Sequence, residues 1–424
     1  MAGKRRRGRS PQPNVIQGPV VTTSKTRREL RAERRRQKRR RLGAVGIAGV
    51  VAGGLVVAAA VGFGVHQATS GGHAKPQGQT TLLLSVTGSD GTATETALLA
   101  HDDRTHHGVE LLIPARLLTE VCGFGNQQLG QILALPNGQE LSRTTVGSLL
   151  GGATVDGSWV LSTAQLAKLV DAVGGITADV DVDVIQQRAD GSRVLVVGKG
   201  AQQHLTGAHA IAYATYLRAG EDALANLVRL QNVLDGIEAA LPRGTSAVAK
   251  IVQSLGTGAA SSLGVSRLAD LLVGLAADAR HDNVLPTALP VVKIDSGSAQ
   301  ASYRVDTQQT TSFVDANLAA SLPTSARAAR KRVFVQNGVG TPGLAVTACS
   351  RLVTAGYAFA GSGNAPTFGY PTSKVLVFDH SVASAELGNS VASALRLPEA
   401  DVAVSSTGQN VADVLVILGK DYKP

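Results

Sequence analysis

Two stretches of this 424-residue chain combine residue types and spacing that chemistry could use. His101, Asp102, Asp103, His106 and His107, in the run HDDRTHH, bring together side chains of the kind that ligate metals. They join two apolar runs and include Arg104, so a solvated hairpin loop accounts for them without an ion. Gly338-Val339-Gly340-Thr341-Pro342-Gly343 is formally the G-x-G-x-x-G turn that cradles a dinucleotide pyrophosphate. That role needs an acid about 20 residues on, for the ribose, and 357–364 read YAFAGSGN. A tight strand-to-helix turn, with Pro342 at the first helical position, is the expected alternative. The chain holds no G-x-S-x-G elbow, no H-E-x-x-H and no G-x-x-x-x-G-K-[ST] phosphate loop. Its two cysteines, Cys122 and Cys349, lack zinc-site spacing and fall in different predicted units. They could form a disulfide, but their placement in different units favours two buried free thiols.

Elements must position whatever chemistry there is, and charge divides the chain first. The net charge is +10, yet residues 1–41 alone carry 16 Lys and Arg against 2 Glu, and the remainder is mildly acidic. A basic tail without interleaved aromatics or a folded reader gives no reason to expect nucleic acid as a partner. Such a segment cannot bury enough surface to offset chain entropy, so it is expected to be disordered. Leu42–Val65 follows, 24 residues without a charge, long enough at 1.5 Å per residue to span a bilayer as a single transmembrane helix. Basic residues crowd its N-terminal flank, which puts the tail in the cytoplasm and the rest outside the cell membrane. A cleaved signal peptide fits less well, because its apolar core is 7–15 residues and its basic region short.

Beyond a spacer at 66–79, strands and helices alternate. TTLLLSVTG, TETALLAHDD and GVELLIPA read as buried strands. AQLAKLVDAVGG reads as a helix closed by paired glycines, and ITADVDVDV as a half-buried strand. Residues 207–240 are expected to be strongly helical, Thr311–Leu322 to be a last helix, and the whole of 80–322 to be a three-layer α/β domain. A linker at 323–330 precedes a small α/β sandwich at 331–424, expected to fold on its own.

The order LLLSVTGSD, TETALLAHDD, GVELLIPARLL, LAKLVDAVGGITADVDV, LTGAHAIAYATYLR and LVRLQNVL resembles the LytR–CpsA–Psr (LCP) family over roughly 80–322. LVDAVGGITADV and the L-x-G-x-x-A-x-A-Y helix start are the most specific of these signals. VFVQNGVGTPGLA and DVLVILGKDY make 331–424 resemble the LytR C-terminal domain. The resemblance implies a membrane-anchored protein of cell-wall biogenesis. It would take a glycopolymer from a polyprenyl pyrophosphate carrier held in an apolar pocket and attach it to peptidoglycan. Arginines and Mg²⁺-bound carboxylates would handle the phosphates. Residue by residue, the family's I-P-R-D is Ile113-Pro114-Ala115-Arg116, and its S-D-T is Thr94-Glu95-Thr96. Its first aspartate falls at Thr87, near Asp90, and its R-Y-R at Thr215-Tyr216-Leu217, before Arg218. Its G-R-I-E-R-Q is Ala225-Asn226-Leu227-Val228-Arg229-Leu230. The resemblance therefore makes Arg116, Arg218 and Arg229 the catalytic candidates, and Glu95 and Asp90 the candidates for Mg²⁺. With several arginine places changed, two other readings accompany transfer: a non-catalytic module that binds carrier or wall polymer, and a transcriptional attenuator.

Overall fold

A computed structural model describes residues 78–222, 224–259, 261–294, 301–322, 331–397, 401–405 and 412–424. The expected tail, transmembrane helix and most of the spacer lie outside them. Among the described residues no helix is long and apolar enough to cross a membrane.

Strands β1 (Gln79–Thr87), β2 (Ala93–Asp102) and β3 (His107–Ile113) form an antiparallel meander, as their apolar runs predict. A hairpin of β4 (Leu118–Val121) and β5 (Gly125–Gln128) follows, then a 3₁₀ turn, Leu129–Ala134, and helix α1 (Gly138–Leu149). Strand β6 (Gly157–Ser162) returns parallel to β1. Helix α2 (Thr163–Ala172) starts at a capping box, in which Ser162 and Gln165 satisfy each other's backbone N–H groups. It ends as the paired glycines predict, with Gly174 at φ +87° and Gly175 at φ +84°.

Strands β7 (Ile176–Val180), β8 (Val184–Gln187), β9 (Arg193–Val197) and β10 (Gly200–Leu205) make two small hairpin sheets. The helical stretch predicted over 207–240 is broken into α3 (Gly207–Ala214) and α4 (Leu224–Ala240). Gly220, at φ +81°, and Asp222, whose Oδ1 accepts from Leu224 N at 3.1 Å, turn the chain between them. Helices α5 (Thr245–Ser254) and α6 (Val265–Arg280) lead to β11 (Val284–Ala288), parallel to β3. The hairpin β12 (Val291–Ile294) and β13 (Ser302–Val305) precedes α7 (Thr307–Asn317). This last helix starts four residues earlier than predicted, because Asp306 caps it through Gln309 N.

The central sheet runs β11-β3-β2-β1-β6. On one face Leu82, Leu84, Ala97, Leu99, Leu112, Trp159 and Leu161 pack against α2, α3, α4 and α6. On the other, Leu83, Leu98, Val109, Leu111 and Ile113 pack against the 3₁₀ turn, α1 and α7. The mixed α/β architecture is thus as expected, and β1 is apolar on both sides because it is covered on both sides.

The second sheet runs β15-β14-β18-β16-β17. Its strands are β14 (Arg332–Asn337), β15 (Ala358–Asn364), β16 (Lys374–Val377), β17 (Asp401–Val404) and β18 (Val414–Leu418). Helices α8 (Leu344–Thr354) and α9 (Val382–Ala394) pack on it. Its buried Val333, Val335 and Leu352 belong to the same apolar cluster as Leu83 and Val109. Cys122 and Cys349 are not free thiols but form a disulfide, with a Cα–Cα separation of 5.8 Å. Placing them in separate units concealed that β4–β5 packs against α8, so closely that a Cβ on Gly123 would lie 2.3 Å from Val346.

Candidate functional site

Arg229 lies on α4 and is 1% exposed. Its Nε and Nη2 donate to the two oxygens of Asp181, at 3.2 and 3.1 Å. Its Nη1 and Nη2 donate to the two oxygens of Glu221, at 3.0 and 2.9 Å, and Nη1 also donates to the Tyr216 carbonyl. A guanidinium has five N–H donors, and these five bonds use them all. Burial works against the charge, but the two carboxylates outweigh it and hold the guanidinium above its ordinary pKa. Glu221 is held below the usual range, chiefly by its bonds from Arg229.

Arg218 turns to the same carboxylate, with Nε 3.2 Å from Glu221 Oε1. The loop between α3 and α4 therefore ties Arg218 and Arg229 to one acid. Its next residue, Asp222, accepts from the Tyr303 hydroxyl and from Lys293 Nζ at 3.0 Å. Arg116 reaches the same strand pair from the end of β3, with Nε donating to the Ala301 carbonyl at 2.8 Å. Arg218 and Arg229 thus meet at one loop, Arg116 reaches the strand pair that also bonds it, and all three are engaged with the protein itself. Asp181, Glu221 and Asp222 were missed as members of this network. The signal for two of them was the polar R-A-G-E-D run inside an otherwise apolar helical stretch.

Glu95 points from β2 towards α4, is 2% exposed, and is hydrogen-bonded by Asn226. Burial pushes its carboxyl up to about 8, and Asn226 offsets this only in part. Glu95 Oε2 and Asn226 Oδ1 have no other hydrogen-bond partner. An acid and an amide side by side satisfy both atoms when the acid is protonated, since its O–H can donate to the amide oxygen. Asp90 is fully exposed in the β1–β2 turn, where Oδ1 accepts from Thr92 N at 3.0 Å and Thr92 Oγ1 at 2.8 Å. Those bonds hold its pKa below the usual range.

Mg²⁺ takes charged or strongly polar oxygens in octahedral array. A dry, amide-paired carboxyl and a solvent-facing aspartate already used by its own turn do not fit that demand. Among the described residues no three His, Cys, Asp or Glu side chains converge on one point.

The His101–His107 run forms the predicted hairpin, closed by Asp102 Oδ1 accepting from Arg104 N and Thr105 N at 2.9 and 3.2 Å. His101 and Asp102 are nevertheless buried rather than solvated, and His101 Nδ1 lies 2.6 Å from Asp278 Oδ2. The glycine turn at 338–343 is filled by its own chain. Asn337 Oδ1 accepts from Val339 N and Gly340 N at 3.1 and 2.8 Å, where a phosphate would sit. Gly343 caps the helix, so α8 begins two residues after Pro342.

Between sheet and helices lies a small cavity of about 30 Å³, walled by Leu84, Leu99, Trp159, Leu166, Leu169 and Leu234, with Glu110 and Glu238. It holds about one water. A shallow depression of about 520 Å³ at the start of α1 contains none of the candidate residues.

A profile of the LytR_cpsA_psr family matches residues 71–315. A second, described as LytR cell envelope-related transcriptional attenuator, matches residues 330–422. Comparison with curated proteins gives no match. Among solved structures, B. subtilis TagV is 14% identical with TM-score 0.48, over 57% of this chain and 98% of that one. The gbs0355 protein of Streptococcus agalactiae is 17% identical with TM-score 0.49, over 60% and 91%. TagT bound to LI-WTA is 19% identical with TM-score 0.48, over 58% and 92%.

Proposed function

The chain belongs to the LytR–CpsA–Psr family, and on that premise we propose that it serves cell-envelope assembly by binding the apolar carrier of a polyprenyl-linked glycopolymer without itself transferring the polymer. The observation that carries this reading is Arg229, whose five donors are all taken by Asp181, Glu221 and Tyr216. A pyrophosphate would have to displace two carboxylates that already match the guanidinium fork. Each charge-assisted contact a phosphate fails to make removes roughly 1.5–3 kcal/mol. Ala115, Thr215, Leu217 and Asn226 offer no cation in its place.

Carrier binding depends instead on apolar area, worth about 25 cal/mol per Å² buried. The sheet-to-helix interface keeps that area in Leu84, Leu99, Leu166, Leu169 and Leu234. Because the cavity is small, a prenyl chain enters only as α2, α4 and α6 move off the sheet. The charge-free stretch at Leu42–Val65 supports a single-pass anchor with the tail in the cytoplasm. The Cys122–Cys349 bond supports an oxidising environment, outside the cytoplasm, for the rest. Peptidoglycan is then within reach as acceptor, and an active family member would complete the transfer.

The test uses full-length protein with a polyprenyl-pyrophosphate-linked glycopolymer and Mg²⁺. The expected result is retention of the carrier with no phosphate or pyrophosphate released, and no response to Mg²⁺. Turnover that Arg116→Ala or Arg229→Ala abolishes would overturn the non-transferring reading and restore the arginines to catalysis.

A further inference from the structure

The cavity wall contains a group of acids that an apolar interface does not need. Glu110 is fully buried in the middle of β3, on the side that faces the helices. From α4, Gln231 donates to its Oε2, and Glu238 hydrogen-bonds with it. Asp235, also on α4, lies 2.9 Å from Gln231 Nε2. From α6 comes Asp278, 2% exposed, and from β2 comes His101, whose Nδ1 meets Asp278. His101 Nε2 is 2.9 Å from Asp103, whose side chain is 78% exposed, so a chain of polar contacts leads from solvent to Asp278, whose charge acts on Glu238. Arg280, at the end of α6, has Nη2 2.5 Å from the Leu241 carbonyl. Strands β1, β6 and β11 and helix α2 contribute no charged group to the cavity.

Two carboxylates in hydrogen-bond contact in a dry site cannot both be ionised. Burial is the largest cause for both and pushes each above the ordinary carboxyl range. Glu238 is pushed further by Glu110, Asp235 and Asp278, so it holds the proton and Glu110 accepts from it. Trp159, which also lines the cavity, has its Nε1 buried without a hydrogen-bond partner. A wall built this way is compatible with hydrocarbon while neutral and draws in water once charged.

We propose that the second proton of the Glu110–Glu238 pair gates the cavity: while both acids are protonated the wall is neutral and the cavity admits an apolar carrier chain, and when Glu110 gives up its proton the pair keeps one proton and a negative charge, and the cavity hydrates and excludes the chain. The proposal rests on the carrier-binding reading above and names how that same cavity is regulated. One proton moves, and it reaches solvent through local opening of the cavity.

The experiment follows binding of tritiated geranylgeraniol, uncharged at every pH, to the full-length protein held in amphipol, from about pH 6 to about pH 9. Binding should fall by about tenfold per pH unit once Glu110 is ionised. It should stay flat in the double variant Glu110→Gln with Glu238→Gln, which keeps the shape and removes both titrating groups, since either single variant leaves one buried acid. Infrared difference spectra between low and high pH should show more protonated-acid carbonyl intensity lost in the parent than in the double variant, where Glu95 still contributes. Binding that is equally strong across the range, or the same loss of carbonyl intensity in parent and double variant, overturns the gate alone. No binding at any pH overturns both the gate and the carrier-binding reading.

Discussion

At the scale of single residues, protonation decides what the candidate site is. Glu95 is pushed up to about 8 by burial, against an ordinary value near 4.3 when the chain is unfolded. The folded protein therefore keeps a proton that the unfolded chain releases. Stability from this group is fully present below about pH 4 and is lost as pH rises towards about 8. Glu95→Gln should flatten that dependence and raise the melting temperature at pH 8 relative to the parent. A variant whose melting temperature falls in parallel with the parent's between pH 5 and 8 would contradict a neutral Glu95. The candidate positions themselves were legible, because Glu95, Arg116, Arg218 and Arg229 stand in recognisable strings. Their state was not. Arg229 finds Asp181 48 positions away and Glu221 8 positions away, and only folding brings a strand-end acid and a loop acid to one fork.

Among elements, close approach explains why some short patterns are specific. A Cβ on Gly207 would lie 2.1 Å from the Ala167 carbonyl oxygen and 2.8 Å from Asp171 Oδ2, while its N–H donates to Asp171 Oδ1 at 2.7 Å. That glycine of LTGAHA lets α3 start directly against α2. Gly207→Ala should force the two helices apart and destabilise the protein by about 2 kcal/mol or more, read as a lower denaturation midpoint at unchanged slope. Gly220, with no neighbour near its Cβ position, should tolerate change better than Gly207 in packing terms, though its φ of +81° favours glycine. The apolar runs of β1, β2 and β3 and the capped, glycine-stopped α2 were readable because pattern and termination signals agree. The break at 215–222 was hidden by apolar positions that continue the helical spacing on both sides. Strands β10 (GAQQHL) and β15 (AFAGSGN) were hidden because polar and small residues carry little strand signal, and pairing supplies what propensity lacks. The start of α7 was readable in Asp306 and Gln309, a cap pattern that the later apolar residues outweighed.

For the whole molecule, the two family-matched regions are described better as one packed body than as beads. Besides the disulfide, Ser148 Oγ accepts from Phe359 N at 2.9 Å, and Glu120 Oε1 accepts from Ser362 N at 3.4 Å. Both cover the edge of β15, which would otherwise offer unpaired backbone groups. The expectation that 331–424 folds alone must therefore contend with a shared apolar cluster. Thermal unfolding of the oxidised protein should show one transition for both regions. Cys122→Ser with Cys349→Ser removes a link across 227 positions, worth up to about 5 kcal/mol by loop entropy. The expected result is a lower transition for 331–424, separated from that of 80–322. An unchanged single transition would show that the apolar contact alone couples them.

The position of that link along the chain also sets a clock. Cys122 is made 227 residues before Cys349, which at about 5–20 residues per second is roughly 10–45 s of synthesis. Throughout that interval the β4–β5 hairpin lacks α8, the element that later lies over Gly123. With only two cysteines in the chain, no wrong internal pairing exists. The hazard is a foreign thiol, and whichever partner reaches Cys122 first decides whether α8 can be fastened at all.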